Sequence, residues 1–239
     1  MKIPASFLCL AMLTPTSGFG QFDKLRERLT KVPGATGTAG SNDRIVAGLK
    51  EALQVGAGNA ISLTGRPDGF FRNQAIRILL PEKARTIEKG LRAAGLGQKV
   101  DDFELSMNRA AEKAAAEAKA IFVGAIKQMT LDDGRKILTG GNTAGTEYFK
   151  AKTSDTLKSA FRPIVANAMA QTDVTAKYKQ MMGGLPSLPF LKKDAVDIDE
   201  YVVSKSLDGL FYMLGEEERK IRTDPAARVT ALLKEVFGK

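Results

Sequence analysis

From Asn42 almost to the C-terminus, apolar residues recur every three or four positions, and that spacing leaves few architectures open to the chain. Ile45, Leu49, Leu53, Ala60 and Leu63 fall on one face of a first helix that Gly65 closes. Pro81 opens a second, with Ile87 and Leu91 inward, and Gly95 ends it. Val100, Phe103, Met107, Ala110, Ala114, Ile121, Ala125 and Met129 define the longest periodic stretch, about 45 Å of helix if unbroken. Its centre, Ala110 to Ala120, is rich in alanine and permits close approach of neighbouring helices. Thr130 and Asp133 have capping spacing for a short helix ending at Gly140 and Gly141. Helix then runs from about 143 to 171, with a bend expected at Pro163, and again from about 175 to 182. Gly183 to Pro189 is a break. Asp197 can cap a helix whose inner face is Tyr201, Leu207, Leu210, Phe211 and Leu214. Asp224 and Pro225 signal the start of the last, with Val229, Leu232, Leu233 and Val236 inward. Only Ala75 to Leu80 looks strand-like, and one strand makes no sheet. The expectation is an all-α, single multi-helix, bundle-like domain over residues 42–239, with one long alanine-rich helix and at most one strand-like segment.

The N-terminal residues follow other rules. Lys2, the apolar run Phe7 to Leu13, the breaking residues Thr14 to Gly18 and the small Gly18 and Gly20 at the exit have the order of a secretory signal peptide over residues 1–20. The run is too short to span a bilayer, and no later segment approaches the required length. Residues 21–41 read as a short N-terminal segment followed by a tether carrying Pro33, Gly34, Gly37 and Gly40. The single cysteine, Cys9, lies inside the apolar run, and the sequence has no histidine. Beyond residue 20 this excludes disulfides, zinc sites built on Cys or His, haem ligation by His and every nucleophile–His dyad. No cofactor and no metal are expected. Loss of Lys2 with the leader takes the formal charge from +9 to about +8, a balance that favours acidic partners or anionic surfaces and also keeps a protein soluble.

Several separated stretches carry a resemblance: Gly-Arg-Pro-Asp-Gly-Phe at 65–70, Ala-Ile-Arg-Ile-Leu-Leu-Pro at 75–81, and Phe-Glu-Leu-Ser-Met-Asn-Arg-Ala-Ala-Glu at 103–112. Ala-Ile-Lys-Gln-Met-Thr at 125–130, Tyr-Phe-Lys-Ala-Lys-Thr-Ser-Asp at 148–155, Leu-Asp-Gly-Leu-Phe at 207–211 and Asp-Pro-Ala-Ala-Arg at 224–228 complete the set. In this order they resemble a bacterial exported family known as domain of unknown function 4197, over about residues 43–239. The resemblance implies a signal-bearing envelope protein and carries no catalytic residue across.

Candidate chemistry is sparse. Glu104, Asn108 and Glu112 stand at successive four-residue spacings, with Arg109 three before Glu112. Such a row could line an inter-helix groove and bind a cation or polar ligand, or form a local ion pair. Arg66 and Asp68, in the turn 65–69, could add a charge pair to it or be ordinary turn residues. Arg85, Lys89 and Arg92 form a basic stripe suited to phosphate or anionic lipid, or a solvated face. Without interleaved aromatics, and on an exported chain, nucleic acid is disfavoured. Ser154 and Lys158 have the spacing of a nucleophile pair inside what also reads as a helix start. Asp197, Asp199 and Glu200 suit an acidic first helical turn.

The leading reading is a non-enzymatic, periplasmic or secreted helical binding or structural module, whose partner is an envelope protein or a small polar or anionic ligand. An enzyme using carboxylates or a Ser–Lys pair is the alternative, and a basic module docking peripherally on anionic membranes the second. Mass spectrometry of the native protein should find a new N-terminus close to Gln21. An intact Met1 terminus in a cytosolic fraction would refute export.

Overall fold

The computed structural model describes residues 38–172, 176 and 197–238. By contact the chain divides into Met1–Gly40 and Ser41–Lys239, and the second unit holds the hydrophobic core. The helices are α1 (Thr38–Gly65), α2 (Arg85–Ala93), α3 (Gly97–Ala116), α4 (Ala118–Gln128), α5 (Leu131–Thr139), α6 (Ala144–Ala170), α7 (Ile198–Thr223) and α8 (Ala231–Phe237). Short 3-10 turns at Glu82–Ala84 and Pro225–Ala227 precede α2 and α8. No strand occurs among the described residues, so the fold is all-α, as the periodicity requires.

The alanine-rich helix is central. Ala110, Ala111, Ala114, Ala115 and Ala118 are fully buried, and α3 packs against both α6 and α7. Alanine gives little apolar area but lets the neighbouring backbones come close, and the large side chains come from those neighbours. On α6, Gly145, Phe149, Thr153, Leu157, Phe161, Val165 and Met169 are buried at four-residue intervals, one continuous ridge facing the core. Phe149 meets Phe122 of α4 at 4.8 Å between ring centroids, and Phe122 meets Phe211 of α7 at 6.1 Å. Burial of such side chains contributes about 1.5–3 kcal/mol each.

Where element boundaries differ from the sequence reading, local hydrogen bonding explains why. The long helix is not continuous: it breaks at Glu117, whose N–H turns to the Ala114 carbonyl three residues back at 3.0 Å. Gly65 ends α1 without a left-handed cap. A Cβ there would come within 3.1 Å of the Ala116 Cα, so its role is close approach beside the break. Gly95 does take the left-handed conformation, φ 78°, with Leu96 N–H on the Leu91 carbonyl and Gly95 N–H on that of Arg92. The α6 helix runs through Pro163 as one element, because Pro163 and the Ser159 carbonyl it leaves without a donor lie on the exposed side. Thr130 and Asp133 form the reciprocal capping box their spacing suggested. The Asp224-Pro225 signal opens a 3-10 turn instead of the last helix, so Val229 falls before α8 and is 69% exposed, while Leu233 is fully buried. Residues 1–37, the expected helix 175–182 apart from helical Ala176, the break 183–189 and the side chain of Ile87 lie outside the description.

The strand-like stretch is an irregular connection between α1 and α2 with a strand's alternation. Ile76, Ile78 and Leu80 are buried, while Arg77 and Leu79 are exposed. Upstream, Phe70 is fully buried, and Gly209 of α7 makes room for it: a Cβ at Gly209 would sit 2.4 Å from the Phe70 ring. Gly209→Ala should therefore lower stability by about 1–3 kcal/mol through overpacking. Gly58→Ala, mid-α1 with nothing within 4 Å of the new methyl group, should raise it by about 0.5–1 kcal/mol. Urea denaturation of both variants checks the pair of signs.

Candidate functional site

The polar row that the sequence marks on α3 faces the connection 66–81. Asn108 is fully buried, and its side-chain amide spans one residue of that connection: Oδ1 accepts from the Ile78 N–H at 2.9 Å, and Nδ2 donates to the Ile78 carbonyl at 2.8 Å. Nδ2 also donates to the Glu104 carbonyl at 2.7 Å. The amide thus does for Ile78 what a neighbouring strand would do. One turn on, Glu112 Oε1 accepts from the Phe70 and Phe71 N–H groups at 3.1 and 3.2 Å. One turn back, Glu104 receives Arg77 Nη2 at 3.0 Å, and the Arg77 guanidinium lies 4.5 Å from the Phe71 ring centroid.

Arg109 joins the row to the turn. Its Nη1 reaches Glu112 Oε2 and its Nη2 reaches Asp68 Oδ1, both at 2.6 Å. The hydrogen bond to Glu112 raises the Arg109 pKa, with Asp68 adding to it against partial desolvation, so the cation is firmly held. Asp68 also receives Arg72 at 3.0 Å. With Pro67 second, Asp68 third at φ 65°, and Gly69 N–H on the Arg66 carbonyl, the segment has the pattern of a type II turn. Arg66 is exposed. Tyr201 of α7 closes the far end, donating to the Leu79 carbonyl at 3.0 Å, and burial holds its hydroxyl pKa up, so it remains a donor. The structure therefore brings Glu104, Asn108, Arg109, Glu112 and Asp68 into one network whose bonds are internal, a clasp on residues 66–81. Arg77 and Tyr201 belong to it and were not singled out in the sequence, where one lay in the strand-like stretch and the other on an inner helix face.

The other candidates are dispersed. In the basic stripe, Arg85 pairs with Glu82, and Arg92 with Glu88 and Asp101. The Ser154 hydroxyl donates to the Lys150 carbonyl, and Lys158 pairs with Glu200, which Arg162 also reaches at 2.9 Å. Those two cations hold the Glu200 carboxyl below its usual range. Asp197 caps α7, accepting from the Asp199 and Glu200 N–H groups. No three acidic groups converge as a metal cage among the described residues. Two features went unmarked in the sequence. The first is the buried Glu218–Arg222 pair, at 2.8 Å. The second is a groove of about 270 Å³ between α6 and α7.

Residues 39–238 match the family model described as Protein of unknown function (DUF4197). The chain belongs to this family. No match was found among curated proteins, nor among solved structures. The family match spans the whole clasp, from the turn at Arg66 to Tyr201 on α7.

Removing the amide at position 108 leaves a buried N–H and a buried carbonyl of Ile78 without partners, each costing about 1–3 kcal/mol. Asn108→Ala should accordingly be among the most destabilising single changes in the connection. Asn108→Asp should be at least as harmful at neutral pH, because it sets a carboxylate against two carbonyl oxygens. It should recover stability as pH falls, since burial among acceptors raises the introduced group's pKa and protonation then favours the fold. Thermal melts at two pH values test this; equal melting of parent and variants would show that the amide carries no load.

Proposed function

We propose that this chain is a non-enzymatic helical module of the bacterial envelope, exported by its leader and acting by binding or bracing another component. One observation carries the reading: every buried polar group of the α3 row is committed to the chain's own backbone and side chains, none to an open cavity. A catalytic carboxylate needs access to substrate, and Glu104 and Glu112 are buried against their partners. The paired cations of α2 weaken the case for an anionic-membrane face. Among the described residues no helix is long and apolar enough to cross a membrane.

The accessible end of the clasp is the proposed partner surface: exposed Arg66, with Asp68 and Arg109, which are partly exposed. Crosslinking in intact cells followed by pull-down and mass spectrometry should recover a reproducible envelope partner. Arg66→Ala should weaken that recovery while changing stability by no more than about 0.5 kcal/mol. Arg109→Ala should do both, losing about 1–3 kcal/mol because the buried Glu112 keeps its backbone donors but loses its cation. An unchanged partner set with both variants would remove the surface from consideration.

A further inference from the structure

The groove between α6 and α7 lies outside the clasp, and its chemistry differs from the rest of the surface. The two helices run antiparallel there: Gly215 faces Thr143 and Thr146, while Lys158 and Arg162 near the other end meet Glu200. Gly215 leaves the floor without a side chain, and a Cβ added to it would touch the two threonines. Beside it Tyr212, 48% exposed, offers a large ring to solvent. Glu147 and Lys150 line the same groove, both exposed. Most guanidinium groups of this protein find a carboxylate, as Arg219 finds Glu216 in the same groove. Among the described residues no ion pair or side-chain hydrogen bond engages the Glu147 carboxylate, the Lys150 ammonium or the Tyr212 hydroxyl. One open carboxylate, one open ammonium and one open aromatic face therefore share a recess of about 270 Å³.

We infer that this groove is a binding site for a small zwitterion of amino-acid or dipeptide size. The ammonium of the ligand meets Glu147, its carboxylate meets Lys150, and its apolar part lies on Tyr212 over Gly215. The recess lies just below the ~300–1,000 Å³ of pockets that hold drug-sized ligands, which suits a compact ligand. Its mixed charge discriminates against purely anionic or purely cationic molecules, because each would leave one side chain opposed by a like charge. The site rests on the binding-module reading, to which it gives a ligand class, and it is tested without any cellular partner.

The experiment is a titration of the folded protein with glycyl-L-leucine, read by backbone amide shifts in two-dimensional NMR. Saturable shifts at Glu147, Tyr212 and Gly215, with a dissociation constant of about 1 mM or tighter, are expected. Glu147→Gln and Lys150→Met should each weaken binding by about tenfold, a difference of ~1.4 kcal/mol. Both positions are solvent-exposed, and melting curves matching the parent confirm that the variants fold. Tyr212→Ala gives a third variant that leaves both charges in place and should also bind more weakly. The acetylated and amidated dipeptide, which has lost both charges, should not bind. Absence of saturable shifts in the parent overturns the site. So does equal binding of the blocked dipeptide, or parent-like affinity in the charge variants, and Glu147 with Lys150 is then a solvated helix face. Such a failure leaves the crosslinking test of the envelope role unaffected.

Discussion

A stretch of chain that is neither helix nor sheet can be buried only if something else pairs its backbone, and here side chains do so, chiefly from one helix. Asn108 and Glu112 on α3 take up the N–H groups of Ile78, Phe70 and Phe71 and the carbonyl of Ile78. An orphaned buried group of this kind costs about 1–3 kcal/mol, comparable with what each buried apolar side chain of the connection returns. Phe70, Ile76, Ile78 and Leu80 can therefore fill the space between α3 and its neighbours only because the polar row is there. The same row sets the register. Side chains alternate along an extended segment, so a one-residue slip would drive Arg77 inward and Ile78 out. The Asn108 amide, pairing both groups of one residue, forbids that slip.

The chain uses the device a second time. At the start of α6 the N–H groups of Gly145 and Thr146 need acceptors, and Glu218 of α7 supplies them at 2.8 and 2.7 Å. A helix N-terminus favours a nearby negative charge, and the buried Arg222 balances it while donating to the Ile137 carbonyl at 2.9 Å and lying 5.4 Å from the Phe237 ring centroid. Glu218 and Arg222 are each more than nine-tenths buried, so neither could remain without the other. In both places a carboxylate on one helix satisfies the backbone of a neighbouring segment and an arginine neutralises it. Polar groups that would be costly in isolation thus fix how irregular or terminal backbone meets the helical core.

Much of the fold was legible because helical period, caps and small residues act locally. The Thr130–Asp133 box, the left-handed Gly95 and the Asp197 cap depend on neighbours within a few residues, and each stands where its spacing put it. What was not legible depends on distant partners. The break at Glu117 sits beside Ala116, against which α1 ends, and periodicity on either side continues as though the helix were whole. The α3 row was legible as a row, since four-residue spacing puts Glu104, Asn108 and Glu112 on one face. The turn at Arg66 and Asp68 was set beside it, but that the face also holds the backbone of residues 70–78 was not, because nothing local says which chain will lie there. Glu218 was hidden for a related reason: within the run Glu216 to Lys220 it looks like one more solvated charge, and only its four-residue spacing to Arg222 hints otherwise.

This distribution of burden narrows where recognition can occur. Side chains that hold backbone at the cost of their own hydration cannot also exchange partners with a ligand, because releasing them exposes an unpaired group on the protein side of the balance. The buried members of the row, Glu104, Asn108 and Glu112, are therefore the least free to act outward, whereas Asp68 and Arg109 at its end stay partly exposed. Groups that can bind without such a penalty are those the fold does not use: Arg66 at the tip of the turn, and Glu147, Lys150 and Tyr212 along the α6–α7 groove. They stand on or beside rigid helices whose packing does not require them, so a ligand there meets a preformed surface.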